Sequence, residues 1–263
     1  MQKLPPPSPP PYTVGSVDRA LRLLHMLRDR GEVRIKPAAR ELGVAESTVH
    51  RLMAMLVFHG FALQDETRAY VPGYSLGAVP LKASGTKVLR DVAASHMEAL
   101  SRVTHETVNL QVRSGTKLRF LWSYEGDRIL RIISRVGAVM PAAKSAGGRV
   151  LLAGLADKTI VRLYHGPIAQ AQGNAMPPGE LQEFLSELRE HRRNGFATTN
   201  GETEIGVAAI AMPIRADDGR PIAALTISIP TVRYDECFDG SFVLALRQSR
   251  DAIEHDLHEQ AAG

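Results

Sequence analysis

The sequence predicts an α+β chain in two folded parts, a winged helix-turn-helix followed by an α/β domain whose sheet is mostly antiparallel. Three observations predict it. Residues 35–56 read as helix, glycine turn, helix; residues 61–71 read as strand, polar turn, strand; and two nearly continuous apolar runs, 205–214 and 222–229, flank Ala216-Asp217-Asp218-Gly219-Arg220. The first two belong together as a helix-turn-helix and its wing. The third is a hairpin of central strands covered on both faces. A chain of 263 residues with 44% hydrophobic content has ample core for two domains. The expected boundaries are a disordered proline-rich arm at 1–13, the winged helix-turn-helix at 14–73, a linker at 74–87 and the second domain at 88–263.

Pro5, Pro6, Pro7, Pro9, Pro10 and Pro11 keep the arm extended. Ser16 is expected to cap a first helix running to about Arg30, with Val17, Ala20, Leu21, Leu24 and Leu27 on one face and Gly31 as its stop. Val33 and Ile35 suit a short strand that pairs with the wing. Pro37 fits the first turn of the next helix, where its missing N–H costs nothing, and Gly43 supplies the left-handed exit after Ala38, Ala39 and Leu42. The following helix, roughly 46–59, buries Val49, Leu52, Met53 and Leu56 at helical spacing. Ser47, Thr48, His50 and Arg51 are left at its N-terminal end. Hydroxyls there donate to phosphate or base edges, arginine binds guanine bidentately, and the helix terminus favours phosphate. Arg68 falls at the wing tip, where a cation meets phosphate or the minor groove, and Arg19 adds a cation from the first helix.

In the second part, Gly85 is expected to close a linker interrupted by Pro72, Gly77 and Pro80. A helix over 88–105 carries Val88, Leu89, Val92, Met97, Leu100 and Val103. Strands are expected at 107–112, 118–124 and 129–133, the first two joined by Ser114-Gly115-Thr116. Ser145 caps a helix through Leu155 with Gly147 and Gly148 in its first turn. Further helices are expected at 157–165, 179–194 and 236–258.

Residues 1–85 carry 11 Lys+Arg against 7 Asp+Glu, and residues 86–263 carry 21 of each. The whole excess of +4 therefore lies where phosphate neutralisation is needed. There is no apolar run of about 18 residues and no signal-peptide order, so a soluble cytoplasmic protein without a membrane partner is expected. The single Cys237 excludes an internal disulfide and reads as a small buried or interface residue. Two Ser-x-x-Lys sets, Ser84-Gly85-Thr86-Lys87 and Ser114-Gly115-Thr116-Lys117, fall outside convincing helices and lack companion motifs. With no Walker loop, dinucleotide fingerprint or HExxH, no enzyme, catalytic residue, cofactor or metal site is expected, and His255 and His258 read as solvated. The rival to DNA binding is a dimerisation or adaptor module that never touches DNA. Arg51 and Ser47 exposed beside a symmetric partner at half-site spacing would favour DNA binding, and their burial at a protein interface would favour the adaptor.

Five motifs give the chain, over 14–257, a resemblance to the IclR family of bacterial transcription regulators. They are Ser16-Val17-Asp18-Arg19-Ala20-Leu21; Glu46-Ser47-Thr48-Val49-His50-Arg51-Leu52; Glu106-Thr107-Val108-Asn109-Leu110; the segment 145–153; and the hairpin 206–230. The resemblance implies a GAF-like ligand-binding domain sensing a small metabolite, often a carboxylate or aromatic acid, in homodimers or homotetramers on double-stranded DNA. Carried over position by position, it places Ile129, Ile132, Met140, Ala146, Gly147, Thr199, Ala209, Thr226 and Ser228 at the effector. The N–H groups of Ala146 and Gly147 with the hydroxyls of Thr226 and Ser228 suit a carboxylate, and Ile129, Ile132 and Met140 its apolar part. His105 stands where the family usually has a glycine at a helix end, which histidine tolerates in the left-handed region.

Overall fold

The computed structural model describes residues 12–65, 67–73, 76, 83–237 and 240–262, except for the side chains of 83–86, 168, 171, 236, 237, 261 and 262. The proline run, Gly77 and Pro80 of the linker, Glu66 of the wing and the side chain of Cys237 lie outside the described residues. The chain divides into two compact units, Met1–Val79 and Pro80–Gly263.

The first unit holds α1 (Gly15–Arg30), α2 (Ile35–Leu42), α3 (Glu46–Phe58), β1 (Ala62–Gln64) and β2 (Tyr70–Pro72). Its core joins Leu23, Leu27, Leu42, Val49, Met53 and Tyr70. The inward face of α1 differs from the expected one. Leu23, Met26 and Leu27 are buried, whereas Val17 and Leu21 are 53% and 52% exposed, because only the C-terminal half of α1 meets α3 and β2. Ser16 is not the cap either: Val14 holds that position without a side-chain bond, and Ser16 lies inside the first turn. Gly43 has φ 65°, and Val44 N–H closes back on the Ala39 carbonyl, so α2 stops sharply and α3 starts three residues later. Val33 makes a single bridge to Tyr70, but Ile35 opens α2 instead of extending a strand.

The second unit holds α4 (Ala83–Thr104), β3 (Thr107–Ser114), β4 (Lys117–Tyr124), β5 (Val139–Pro141), α5 (Ala146–Ala153), α6 (Asp157–Tyr164), α7 (Pro167–Ala171), α8 (Pro178–Asn194), β6 (Ala197–Glu204), β7 (Val207–Arg215), β8 (Pro221–Pro230), α9 (Tyr234–Cys237) and α10 (Ser241–Ala262). The six strands form one sheet in the order β5-β4-β3-β8-β7-β6, every neighbouring pair antiparallel. Four expectations are corrected. Helix α4 begins at Ala83, so Gly85 lies within it, and Val88 and Val103 are exposed rather than part of its buried stripe. Residues 129–133 are irregular instead of a strand, since side chains take the carbonyls a ladder would use: Thr107 Oγ1 donates to Ile132 O, and Arg233 to Leu130 O. The edge strand β6 was unexpected because its Thr-Thr-Asn-Gly-Glu-Thr core reads as a loop. The last long helix starts only at Ser241, after the left-handed Gly240.

The sheet has two unlike faces. Period-two alternation puts Val108 and Leu110 of β3, Leu225 and Ile227 of β8, and Ala208, Ile210 and Met212 of β7 on one side, packed with Leu89, Met97, Leu246 and Ile253 of α4 and α10. The other side carries Thr107, Asn109 and Gln111 of β3, Thr226 and Ser228 of β8, Ala209 of β7 and Thr199 of β6, aligned by the register Thr107↔Ser228↔Ala209↔Thr199. Helix α5 packs on this second side.

Candidate functional site

On the first unit, Ser47, His50 and Arg51 are exposed on α3 and Thr48 is half-buried, while Val49 and Met53 beneath them are fully buried. Among the described residues, none of these four polar side chains is drawn into an ion pair or side-chain hydrogen bond. Ala45 precedes α3 without a side chain that caps, so the helix N-terminus stays open to an anion. Ser47 and Arg51 are thus no part of this unit's own core. Arg68 stands exposed at the wing with φ 63°, held there because Asp65 Oδ1 accepts hydrogen bonds from Thr67 N–H (2.9 Å), Thr67 Oγ1 (2.8 Å) and Ala69 N–H (3.0 Å). Those bonds, the Thr67 hydroxyl first, hold the Asp65 carboxyl below the usual carboxylate range. Arg19 is half-buried, its guanidinium lying over Gly15.

On the second unit, the polar face of the sheet meets the start of α5. All of Thr107, Asn109, Gln111, Ser145, Thr199, Thr226 and Ser228 are buried, a concentration of polar groups that a packed core does not favour. Thr226 Oγ1 donates to Gln111 Oε1 (2.8 Å) and Asn109 Nδ2 to Ser228 Oγ (3.1 Å). The Asn109 Oδ1 and Thr199 Oγ1 atoms are buried without a partner among the described residues. Ser145 caps α5 by accepting from Gly148 N–H at 3.2 Å. A methyl group on Gly147 would stand 1.9 Å from Gln111 Oε1, so glycine is what lets the helix start approach the β3 and β8 side chains.

A cavity of about 30 Å³ opens between these groups, room for roughly one water. Ile132, Met140, Ala146, Gly147, Ala209, Thr226 and Ser228 line it, as do Asn109, Gln111, Phe120, Ile133, Arg135, Ser145, Thr203 and Val207. Two expected residues are not among its walls. Ile129 is 100% exposed on the irregular segment, and Thr199 is buried on the same sheet face beyond Ala209. The residues that sequence reasoning did not single out have a legible signal in β3, where Thr107, Asn109 and Gln111 alternate with Val108, Leu110 and Val112. Arg135 gave none, because it sits outside regular structure. A larger hollow of about 300 Å³ at the C-terminal ends of α5 and α8 is lined by arginines already engaged: Arg192 with Ala153 O and Leu155 O, Arg215 with Gly219 O, and Arg220 with Asp218. Among the described residues, His255, Asp256 and Glu259 bring potential ligand atoms within 4.8 Å of one another, but Asp256 is engaged by His96 at 2.8 Å. No helix among the described residues is long and apolar enough to cross a membrane.

A winged helix-turn-helix with an open recognition helix, joined to a domain with a buried polar cavity, defines a ligand-responsive DNA-binding regulator. The chain belongs to the IclR family: residues 16–66 match the IclR helix-turn-helix domain, and residues 82–255 match the bacterial transcriptional regulator IclR C-terminal domain. Its relatives include the HTH-type transcriptional regulator XynR of Escherichia coli K12, 29% identical over 249 residues that cover 93% of this chain and 97% of that protein. The E. coli DNA-binding transcriptional repressor YiaJ is 30% identical, over 82% of this chain and 77% of its own. A crystal structure of an IclR homolog from Microbacterium hydrocarbonoxydans complexed with 4-hydroxybenzoate is 25% identical, covers 93% of this chain and 99% of its own, and has a TM-score of 0.57. The protein is thus a transcription regulator with a DNA-binding helix-turn-helix and a C-terminal effector-binding domain.

Proposed function

We propose that the effector is a small organic acid bound at the cavity between the polar sheet face and the start of α5. The observation that carries this reading is the file of buried polar side chains, with one end of the Asn109 amide unpartnered, facing the Gly147 approach. Asn109, Gln111, Thr226, Ser228 and the N–H groups of Ala146 and Gly147 form a polar floor for one end of the ligand, and Phe120, Ile132 and Met140 surround its apolar part. An aromatic acid exceeds the present cavity, so binding displaces side chains of the irregular segment, above all Ile132 and Ile133. The 4-hydroxybenzoate bound by the homolog makes that acid the first probe.

We also infer that Ser47, Thr48, His50 and Arg51 read bases while Arg19 and Arg68 contact phosphate, in a homodimer or homotetramer acting in the cytoplasm where its DNA is. Effector binding then shifts the placement of paired DNA-binding domains. The test is a mobility shift with DNA upstream of the protein's own and neighbouring genes, with and without candidate acids. Arg51→Ala should cost about 1–3 kcal/mol on the specific site, and Arg68→Ala should weaken specific and random DNA alike. Equal losses for both variants on both kinds of DNA would refute that division of labour. Ser228→Ala should impair the response to effector while leaving DNA binding intact.

A further inference from the structure

At the end of α5 remote from the effector cavity, two other segments close on the helix. A methyl group on Gly154 would stand 2.4 Å from Pro221 Cγ, so glycine there lets the β7–β8 turn pack onto the end of α5. From the other side Arg192, near the end of α8, donates from Nε to Ala153 O (2.7 Å) and from a terminal nitrogen to Leu155 O (2.8 Å). The hollow of about 300 Å³ between them is walled by three arginines, Arg192, Arg215 and Arg220, and by one acid, Asp218. Bare helix C-termini repel anions. Here Arg192 covers the carbonyls that follow α5, and His191 O accepts from Gly195 N–H at 2.9 Å. Backbone carbonyls fix a guanidinium in place without cancelling its charge. Arg215 donates to Gly219 O at 3.0 Å and forms no ion pair among the described residues; Glu254 meets its backbone N–H and is not one of the walls. Asp157 is 3.6 Å from Arg192 and is held more closely by Arg189, at 2.7 and 3.0 Å. Asp218 lies 3.4 Å from Arg220, both 59% exposed, a contact that a ligand can displace.

We propose that this hollow is a second ligand site, which takes the phosphate group of a small phosphorylated metabolite. Three guanidinium groups against one carboxylate leave an excess of two positive charges, which a phosphate dianion balances. Its terminal oxygens can engage more than one guanidinium, whereas a single planar fork satisfies a carboxylate. The space exceeds a bare phosphate and is at the lower end of the range for small-molecule pockets. Val150, Ala153, Pro213 and Pro221 supply apolar wall for the organic part. His191 supplies a polar contact: its Nε2 is buried without a partner among the described residues, and the residue lines the hollow. Burial, and then the charge of Arg149, hold that imidazole below the ordinary histidine range, so it is neutral at pH 7. The site is independent of the effector cavity and of the acid assigned to it.

The experiment is calorimetric titration of the full chain, at constant ionic strength, with glycerol 3-phosphate, glucose 6-phosphate and inorganic phosphate, and with glycerol and glucose as the unphosphorylated counterparts. At least one ester should bind about tenfold or more tightly than inorganic phosphate, and the parent alcohols should not bind. Arg215→Gln should weaken that ester about tenfold. Asp218→Asn, which removes the resident charge and keeps an acceptor for the Arg220 N–H, should tighten it about twofold to fivefold. Thermal melts of both variants confirm that the fold is retained. Amide NMR locates the ligand: the resonances of Gly154, Gly195 and Gly219 should move during the titration. Movement at residues 46–51 instead, with Arg215→Gln and Asp218→Asn both without effect, would put the phosphate on the DNA-facing helix and overturn the site. Inorganic phosphate that binds as tightly as both esters would overturn the metabolite assignment, and a panel from which nothing binds would overturn the proposal as a whole.

Discussion

Gly147 and Gly148 are neighbours in one helical turn, yet a methyl group at each meets a different obstacle. At Gly148 it would stand 2.1 Å from the Ala142 carbonyl oxygen and 2.5 Å from its Cα, backbone atoms held by the turn that leads into α5. At Gly147 the first obstacle is the end of the Gln111 side chain, which can swing away at the expense of its bond to Thr226. Gly148→Ala should therefore destabilise the second unit by about 3 kcal/mol or more, and Gly147→Ala should leave it folded with an impaired effector response. Thermal melts read alongside effector titrations check both, and equal stability losses would refute the distinction. A second contrast concerns Glu106, fully buried and gripped bidentately by Arg233 at 2.8 and 3.0 Å, with Arg128 at 3.5 Å. Arg233→Ala leaves that carboxylate nearly alone in the interior and should cost about 3–5 kcal/mol in denaturant unfolding. Glu106→Gln, which leaves a partly exposed cation, should cost less.

Among the elements, the wing couples a strained residue to a charge. Arg68 occupies a left-handed conformation that glycine adopts freely, so Arg68→Gly should stabilise the first unit by about 0.5–1 kcal/mol while lowering its affinity for DNA. A parallel fall in stability and affinity would show that the arginine side chain holds the turn. The same turn should respond to acid. The Asp65 carboxyl titrates below its ordinary range, so its contribution to wing order is fully present above roughly pH 4 and is lost as the pH falls through the lowered value. Amide resonances of Thr67 and Ala69 followed by NMR during acidification should lose their hydrogen-bonded shifts there. Amides unmoved down to about pH 2 would exclude this role.

Across the whole molecule, charge is divided as the chemistry is. The excess of cations lies within residues 1–85, and the remainder carries equal numbers of both signs. DNA affinity should therefore fall steeply and linearly on a logarithmic scale as salt rises, through release of counterions from phosphate. Effector affinity should depend on salt far less if the effector sits on the polar face of the sheet, since Asn109, Gln111, Thr226 and Ser228 are buried there. Titrations across a salt series measure both slopes, and similar slopes would mean that the effector site is an exposed ionic surface.

The helix-turn-helix, its glycine turn and its wing were legible in the residues alone because each rests on local rules: helical spacing, a left-handed exit and a polar turn between short strands. The β7–β8 hairpin was equally legible, as continuous apolar strands demand cover on both faces. Even His105 takes the left-handed conformation, φ 58°, that its place at a helix end required. Other features depended on neighbours distant in sequence. Helix α1 offers more than one apolar stripe, and only packing against α3 and β2 selects Leu23, Met26 and Leu27. Residues 129–133 have strand-like composition, but Thr107 and Arg233 take their carbonyls. The site divides the same way. Ala146, Gly147, Thr226 and Ser228 were reached through motifs, whereas Arg135, on an irregular segment, is placed among the cavity walls only by the tertiary structure. Sequence by itself determined the two folded parts and the local geometry of their helices and turns, because those depend on residues a few positions apart. Tertiary structure alone decided which cation faces the cavity and which carboxylate holds it, because a salt bridge between residues 135 and 204 depends on a meeting that no local pattern encodes.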